Sequence, residues 1–147
     1  MNLYKTHGIS LLFFVVGILL LLAYLIFPVK IVEINMYDTY YIVSKKTLAA
    51  GTAISMFIFT LVYQLFFRLH HRLNEKLGTV HFLLTILGAM IILSTPVADS
   101  TPGDYAKMRQ NMDSASLHCL IGLVLFCLGQ FVLAFNIGLT FFKKMLQ

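Results

Sequence analysis

Four long apolar blocks, separated by short polar segments, set the pattern of this chain. Each block has roughly 17 to 26 residues, and an α-helix of about 20 residues crosses the hydrocarbon of a bilayer. The pattern therefore predicts an all-α, polytopic integral membrane protein. Its single domain, residues 1–147, would hold four transmembrane helices at about 9–28, 48–67, 77–93 and 117–142.

The polar segments predict the connections. Residues 31–43 alternate aliphatic and polar side chains and include tyrosines, which favours a loop at the membrane surface. Residues 74–78 predict a tight turn. Residues 97–116 contain Pro102, Gly103 and three of the six acidic residues, so they predict an outer loop or a surface helix.

Composition agrees with this prediction. Hydrophobic residues make up 59% of the chain and charged residues 12%, which is typical of a membrane protein. The net charge of +5 is explained by basic residues that flank the spans, and there is no nucleic-acid-binding pattern. Cys119 and Cys127 are about 12 Å apart along one helix, too far for a disulfide bond.

Orientation follows from the lysines and arginines. With four spans, both termini share a side with the 68–76 segment, and that side holds six of the eleven basic residues. Because basic residues favour the cytoplasmic side, the count predicts an N-in/C-in topology by a margin of one.

The segment between the first two spans contains the most specific motif, Asp38-Thr39-Tyr40-Tyr41 followed by two aliphatic residues. It resembles a motif of subunit I of the haem-copper respiratory oxidases. Two later landmarks keep the family's spacing: His81-Phe82 at the start of the third span, and Gly88 seven residues after that histidine. The chain thus resembles the last four of the family's twelve helices, and the family places this loop on the outer side of the membrane, which supports termini inside.

The resemblance fails at the haem contacts. Where the family has two haem-ligating histidines, this chain has Lys45 and Thr47. The family's arginine pair that holds the haem propionates is also absent, and only Arg109 follows in that loop. The resemblance therefore implies the frame of the oxidase without its catalysis: no enzyme activity, no cofactor and no catalytic residues. The residues that match the family's motifs, Asp38-Thr39-Tyr40-Tyr41 and His81-Phe82, would serve helix packing and the geometry of the loop.

Other ligand sets were weighed against ordinary packing. His81 is a candidate haem or metal ligand at the inner side, alone or with His70 or His71. At the outer side, the soft side chains that suit Cu(I) are Met108, Met112, His118 and Cys119. Packing is the favoured interpretation for each. The neutral amides of Gln64, Gln130 and Asn136 predict hydrogen bonds between helices, and no ionisable residue is predicted at mid-membrane.

The sequence thus favours an accessory, structural subunit in the bacterial inner membrane. Its expected partners are membrane lipid and other subunits of a hetero-oligomeric respiratory complex, an oxidase or a supercomplex. The alternative is a haem- or copper-binding redox or assembly protein. A small oligomeric transporter is a third possibility, which the lack of charged mid-span residues and of broken helices disfavours.

Overall fold

The computed structural model describes residues 3–26, 30–36, 39–69, 73–97 and 105–145. Over these ranges the chain forms four helices and one β-hairpin. The helices are α1 (Leu3–Ile26), α2 (Lys45–Arg68), α3 (Glu75–Leu93) and α4 (Tyr105–Met145). The strands are β1 (Ile31–Met36) and β2 (Thr39–Ser44).

Each of the four helices contains a segment long and apolar enough to cross a membrane. The segments are Gly8–Ile26, Lys45–Arg68, Glu75–Leu93 and Arg109–Lys143. The predictions of four membrane-length helices and of a mostly helical chain are confirmed at this level. We call the end where α2 stops and α3 starts the α2–α3 side, and the opposite end the hairpin side.

The prediction of an all-α chain with a loop at 31–43 is wrong in one respect, because this segment is a β-hairpin. Strands β1 and β2 pair antiparallel, from Ile31 opposite Ser44 to Met36 opposite Thr39. Aliphatic residues at alternate positions place Val32 and Ile34 on one face, where both are buried. The alternation in the sequence was taken to indicate a surface loop, whereas it marks the two faces of a strand.

The last helix also begins earlier than predicted. Residues 97–116 were predicted as an outer loop or a surface helix, whereas from Tyr105 the chain belongs to α4, which continues without a break for 41 residues. Its length is about 60 Å, twice the thickness of the hydrocarbon. The early helical turns are covered by the hairpin: Val32 and Ile34 pack against Ala115, and the Asn35 backbone N–H donates to Ser116 Oγ at 2.9 Å.

The helices pack as antiparallel neighbours, α1 on α2 and α3 on α4. Ser10 Oγ on α1 donates to the Thr60 carbonyl oxygen on α2, 3.2 Å away. On the second pair, Gly88 lies against Gly122. A Cβ on Gly88 would be 2.7 Å from the Gly122 carbonyl oxygen, so the two backbones approach as closely as glycine allows. The main core lies between these pairs and contains Phe13, Met56, Phe59 and Tyr63.

Candidate functional site

A buried histidine is the most unusual side chain between the helices. His81 lies in the second turn of α3, about 9 Å along the axis from Glu75, and it is fully buried. The sequence predicted no ionisable side chain at mid-membrane and placed His81 near the start of the third span. Helix packing encloses the side chain there completely. Ionisable residues in such places are functional candidates by default.

Aromatic rings surround His81. The imidazole centroid is 5.1 Å from Phe13 on α1, 5.1 Å from Phe59 on α2 and 5.7 Å from Tyr63, also on α2. The Tyr63 ring stacks on the imidazole at an interplanar angle of 23°. Three helices thus meet at this side chain, and no ligand reaches it unless these rings move.

The two nitrogens of His81 have different environments. Nδ1 is 3.0 Å from the hydroxyl oxygen of Tyr63, and they share a hydrogen bond whose direction depends on the tautomer. Nε2 is buried and has no hydrogen-bond partner among the described residues. On α4, the amide nitrogen of Gln130 donates to the Phe126 carbonyl oxygen at 3.1 Å.

This arrangement suits a structural polar contact. The Tyr63–His81 hydrogen bond joins α2 to α3, and Thr85 Oγ1 donates to the His81 carbonyl oxygen within α3. Among the described residues, no three His, Cys, Asp or Glu side chains are close enough to hold a metal ion together. His70 and His71, the predicted companions of His81, lie outside the described residues.

Lys45 and Thr47, the positions at which the resemblance would place haem ligands, belong to the first turn of α2. Ser44 is the N-cap, and its hydroxyl accepts a hydrogen bond from the Thr47 backbone N–H at 3.0 Å. The hydroxyls of Ser44 and Thr47 are 2.8 Å apart. Lys45 donates from Nζ to the Leu93 carbonyl oxygen on α3, at 3.4 Å. These side chains start a helix and tie it to the end of another.

The motif before this turn lies on β2. Thr39 and Tyr41 are exposed, with Tyr41 opposite Ile34 on β1. Tyr40 is opposite Asn35, and its side chain lies outside the described residues, as does all of Asp38. In the described part of the motif, the pairing of β2 with β1 therefore explains where Thr39 and Tyr41 lie.

The described candidates for copper ligands, Met112, His118 and Cys119, lie on α4. Cys119 packs against the buried hairpin residues, whereas the His118 ring shares a hydrogen bond, through Nδ1, with the Ser114 carbonyl oxygen of its own helix. Met112 is partly buried on the same helix, and the side chain of Met108 lies outside the described residues.

Phe82, which the sequence predicted as a packing residue, contacts Phe13 edge to face. The centroids of the two rings are 4.9 Å apart.

A second buried polar contact lies at the α2–α3 side. Asn136 on α4 is fully buried, and its Oδ1 accepts from the Asn74 backbone N–H at 2.8 Å. Its Nδ2 donates to the Asn74 carbonyl oxygen at 3.0 Å. The sequence predicted that the Asn136 amide forms hydrogen bonds between helices, and its partner in the structure is the backbone of Asn74, just before α3.

The sequence did not single out Tyr63, because one tyrosine in an apolar span has no distinguishing signal.

Comparison with protein-family models, with curated proteins and with solved structures finds no match to this chain. The observed site is therefore a histidine buried in aromatic rings within a bundle of four membrane-length helices.

Proposed function

We propose that this chain is a non-catalytic membrane subunit that packs against a larger complex, a respiratory oxidase or supercomplex of the bacterial inner membrane. It would correspond to the last four helices of oxidase subunit I, with both termini in the cytoplasm. The proposal rests on the resemblance of the motifs and on the use that the structure makes of their residues.

One observation carries the non-catalytic part of the proposal. The positions of the two family haem ligands, Lys45 and Thr47, form the first turn of α2, where one bonds to α3 and the other to the N-cap. A protonated lysine has no lone pair for iron. His81 supports the same view, since its neighbours are aromatic rings and a tyrosine hydroxyl at packing distances.

The outer surface supports the accessory role. Large apolar side chains are exposed along every helix, including Leu19 on α1, Leu61 on α2, Leu83 on α3 and Phe131 on α4. In a bilayer, an apolar surface has a similar free energy against lipid tails and against the helices of a partner. A chain with such a surface is therefore suited to lateral assembly.

The test is to tag the chain at its C-terminus, extract it from its native membrane in a mild detergent, and identify bound proteins by mass spectrometry. We expect respiratory-complex subunits in a fixed ratio to the tagged chain. Extraction from untagged membranes is the control. Recovery of the chain alone would contradict the proposal.

The same preparation distinguishes the alternative redox role. We expect no Soret band from the isolated chain and no change in the spectrum of the host complex on His81→Phe. A Soret band that His81→Phe removes and the control His118→Phe retains would overturn the proposal in favour of a haem protein.

A further inference from the structure

Two surface pockets on α2 share the same two polar side chains, Gln64 and Arg68. Ser10 of α1 and Phe67 complete the first pocket, which holds about 330 Å³ of space open to the molecular surface. The second pocket holds about 570 Å³, and Leu61 and Leu65 complete it. Together they form a groove, the Arg68 groove, that leads from the end of α2 toward the membrane interior.

The groove combines an apolar floor with two polar groups at different depths. Leu61 and Leu65 are 65% and 54% exposed on a helix long enough to cross the membrane, so they face acyl chains or another helix. Arg68 is the last residue of α2, and Gln64 lies one turn, about 6 Å, deeper. Both polar side chains are exposed.

Gln64 is the informative residue of the pair. Its amide makes no hydrogen bond to any described residue, although it lies on the outer face of a membrane-length helix. A primary amide left without partners in hydrocarbon is costly, because no water replaces the missing hydrogen bonds. An occupant that presents an acceptor at this depth would remove the cost.

We propose that the Arg68 groove binds one anionic glycerophospholipid. The Arg68 guanidinium would hold the phosphate, since its planar donors match phosphate oxygens. The Gln64 amide would donate to an ester carbonyl oxygen of the glycerol, which lies a few Å deeper than the phosphate in every such lipid. The acyl chains would lie over Leu61 and Leu65.

Charge and depth favour a lipid over a partner helix at this place. The exposed Arg68 attracts anions at the membrane surface, and the exposed Lys76 and Lys143 at the same side add to the positive potential, against one carboxylate, Glu75, among the described residues there. A partner helix would have to bring a carboxylate to that level and a further polar group one turn deeper, and such groups are rare inside transmembrane segments. A phospholipid supplies both by its covalent structure. The inference does not depend on the proposed function.

The test is native mass spectrometry of the purified chain, delipidated and titrated with phosphatidylglycerol or phosphatidylcholine that carry the same palmitoyl and oleoyl chains. We expect one phosphatidylglycerol to remain bound per chain after gentle activation. Arg68→Gln should weaken its binding about fivefold, and Gln64→Leu about threefold.

Lys76→Gln is the matched control, because it removes an exposed positive charge at the same side, outside the groove. It should leave binding within twofold of the wild type. Equal binding of the two lipids, or equal losses for Arg68→Gln and Lys76→Gln, would overturn the proposal. The proposal would also be overturned if the groove variants released a protein from the native membrane extract and left the bound lipid unchanged.

Discussion

At the scale of single residues, the Tyr63–His81 pair shows what a polar contact does inside an apolar bundle. Both side chains are fully buried, and they share a hydrogen bond. The neighbouring phenylalanine rings have no polar atom that could replace it. Among the described residues, Nε2 of the imidazole nonetheless has no hydrogen-bond partner. The pair therefore favours one arrangement of α2 and α3, while the cost of burying Nε2 offsets part of the stability that the hydrogen bond adds.

Tyr63→Phe should destabilise the bundle by about 1 kcal/mol, because it leaves both imidazole nitrogens without a regular hydrogen bond. The free energy of unfolding, measured by SDS titration in mixed micelles with circular dichroism, checks this. Tyr41→Phe, at an exposed tyrosine of the hairpin, should have no effect.

His81→Phe completes a double-mutant cycle with Tyr63→Phe. Since the double variant removes both polar groups together, its cost should be smaller than the sum of the single costs by about 1 kcal/mol. Strict additivity would show that the hydrogen bond contributes nothing.

At the scale of elements, the crossing of α3 and α4 depends on small residues. A Cβ on Gly88 would lie 2.7 Å from both the Gly122 carbonyl oxygen and the Phe126 backbone nitrogen. Backbone atoms on a helix cannot give way as a side chain does. This explains why glycine occupies the position that the sequence singled out only through its spacing from His81.

Gly88→Ala should therefore destabilise the bundle by about 1–3 kcal/mol, the usual range for overpacking. The midpoint of thermal unfolding in detergent is a suitable measurement. Gly138→Ala is the matched control on α4, because nothing lies within 4 Å of its added methyl group. It should be neutral or stabilising by up to about 1 kcal/mol. An equal effect of the two substitutions would contradict the close crossing.

The sequence predicted the elements unevenly, for physical reasons. Long apolar blocks indicate membrane-length helices without knowledge of tertiary structure, and all four are present. The hairpin is shorter, and its β1 strand mixes Glu33 and Asn35 with aliphatic residues, so its alternation was interpreted as a loop. The first turns of α4 space Met108, Met112 and Ala115 three or four residues apart, but their polar composition favoured a loop or a surface helix. Their contact with Val32 and Ile34 arises only when the hairpin folds back onto them.

The candidate site was predictable only in part. Motif spacing drew attention to His81, Phe82 and Gly88, all of which lie in α3. The enclosure of His81 depends on Phe13 and Phe59, which are two among many aromatic residues of apolar spans. No local pattern distinguishes a phenylalanine that faces a histidine from one that faces lipid.

At the scale of the whole molecule, α4 is the longest described helix, and its length can be compared with the thickness of a bilayer. Exposed Arg109 and Lys143 are 34 positions apart on one helix, a separation of about 51 Å. This exceeds the hydrocarbon thickness of about 30 Å, so α4 is long enough to place the two residues on opposite sides of a bilayer.

Cysteine labelling measures the proposed orientation. In a chain that carries Cys119→Ser and Cys127→Ser, an impermeant maleimide added to intact spheroplasts should label Arg109→Cys at once. It should label Lys143→Cys only after the membrane is permeabilised. The reverse result would place the termini outside, and immediate labelling of both would mean that α4 does not cross the membrane.

The contact between Asn136 and Asn74 has a consequence for biogenesis. The Asn74 backbone N–H just before α3 obtains its partner from a side chain made 62 residues later, whereas the Asn74 carbonyl oxygen also accepts from the Gly78 N–H within α3. During synthesis, the first three helices are therefore made before this contact can form, and only the second half of α4 supplies it. A nascent chain that stops before Asn136 would lack this link between α4 and the residue that caps α3. The contact between these two ends of the chain therefore belongs to the last stage of synthesis.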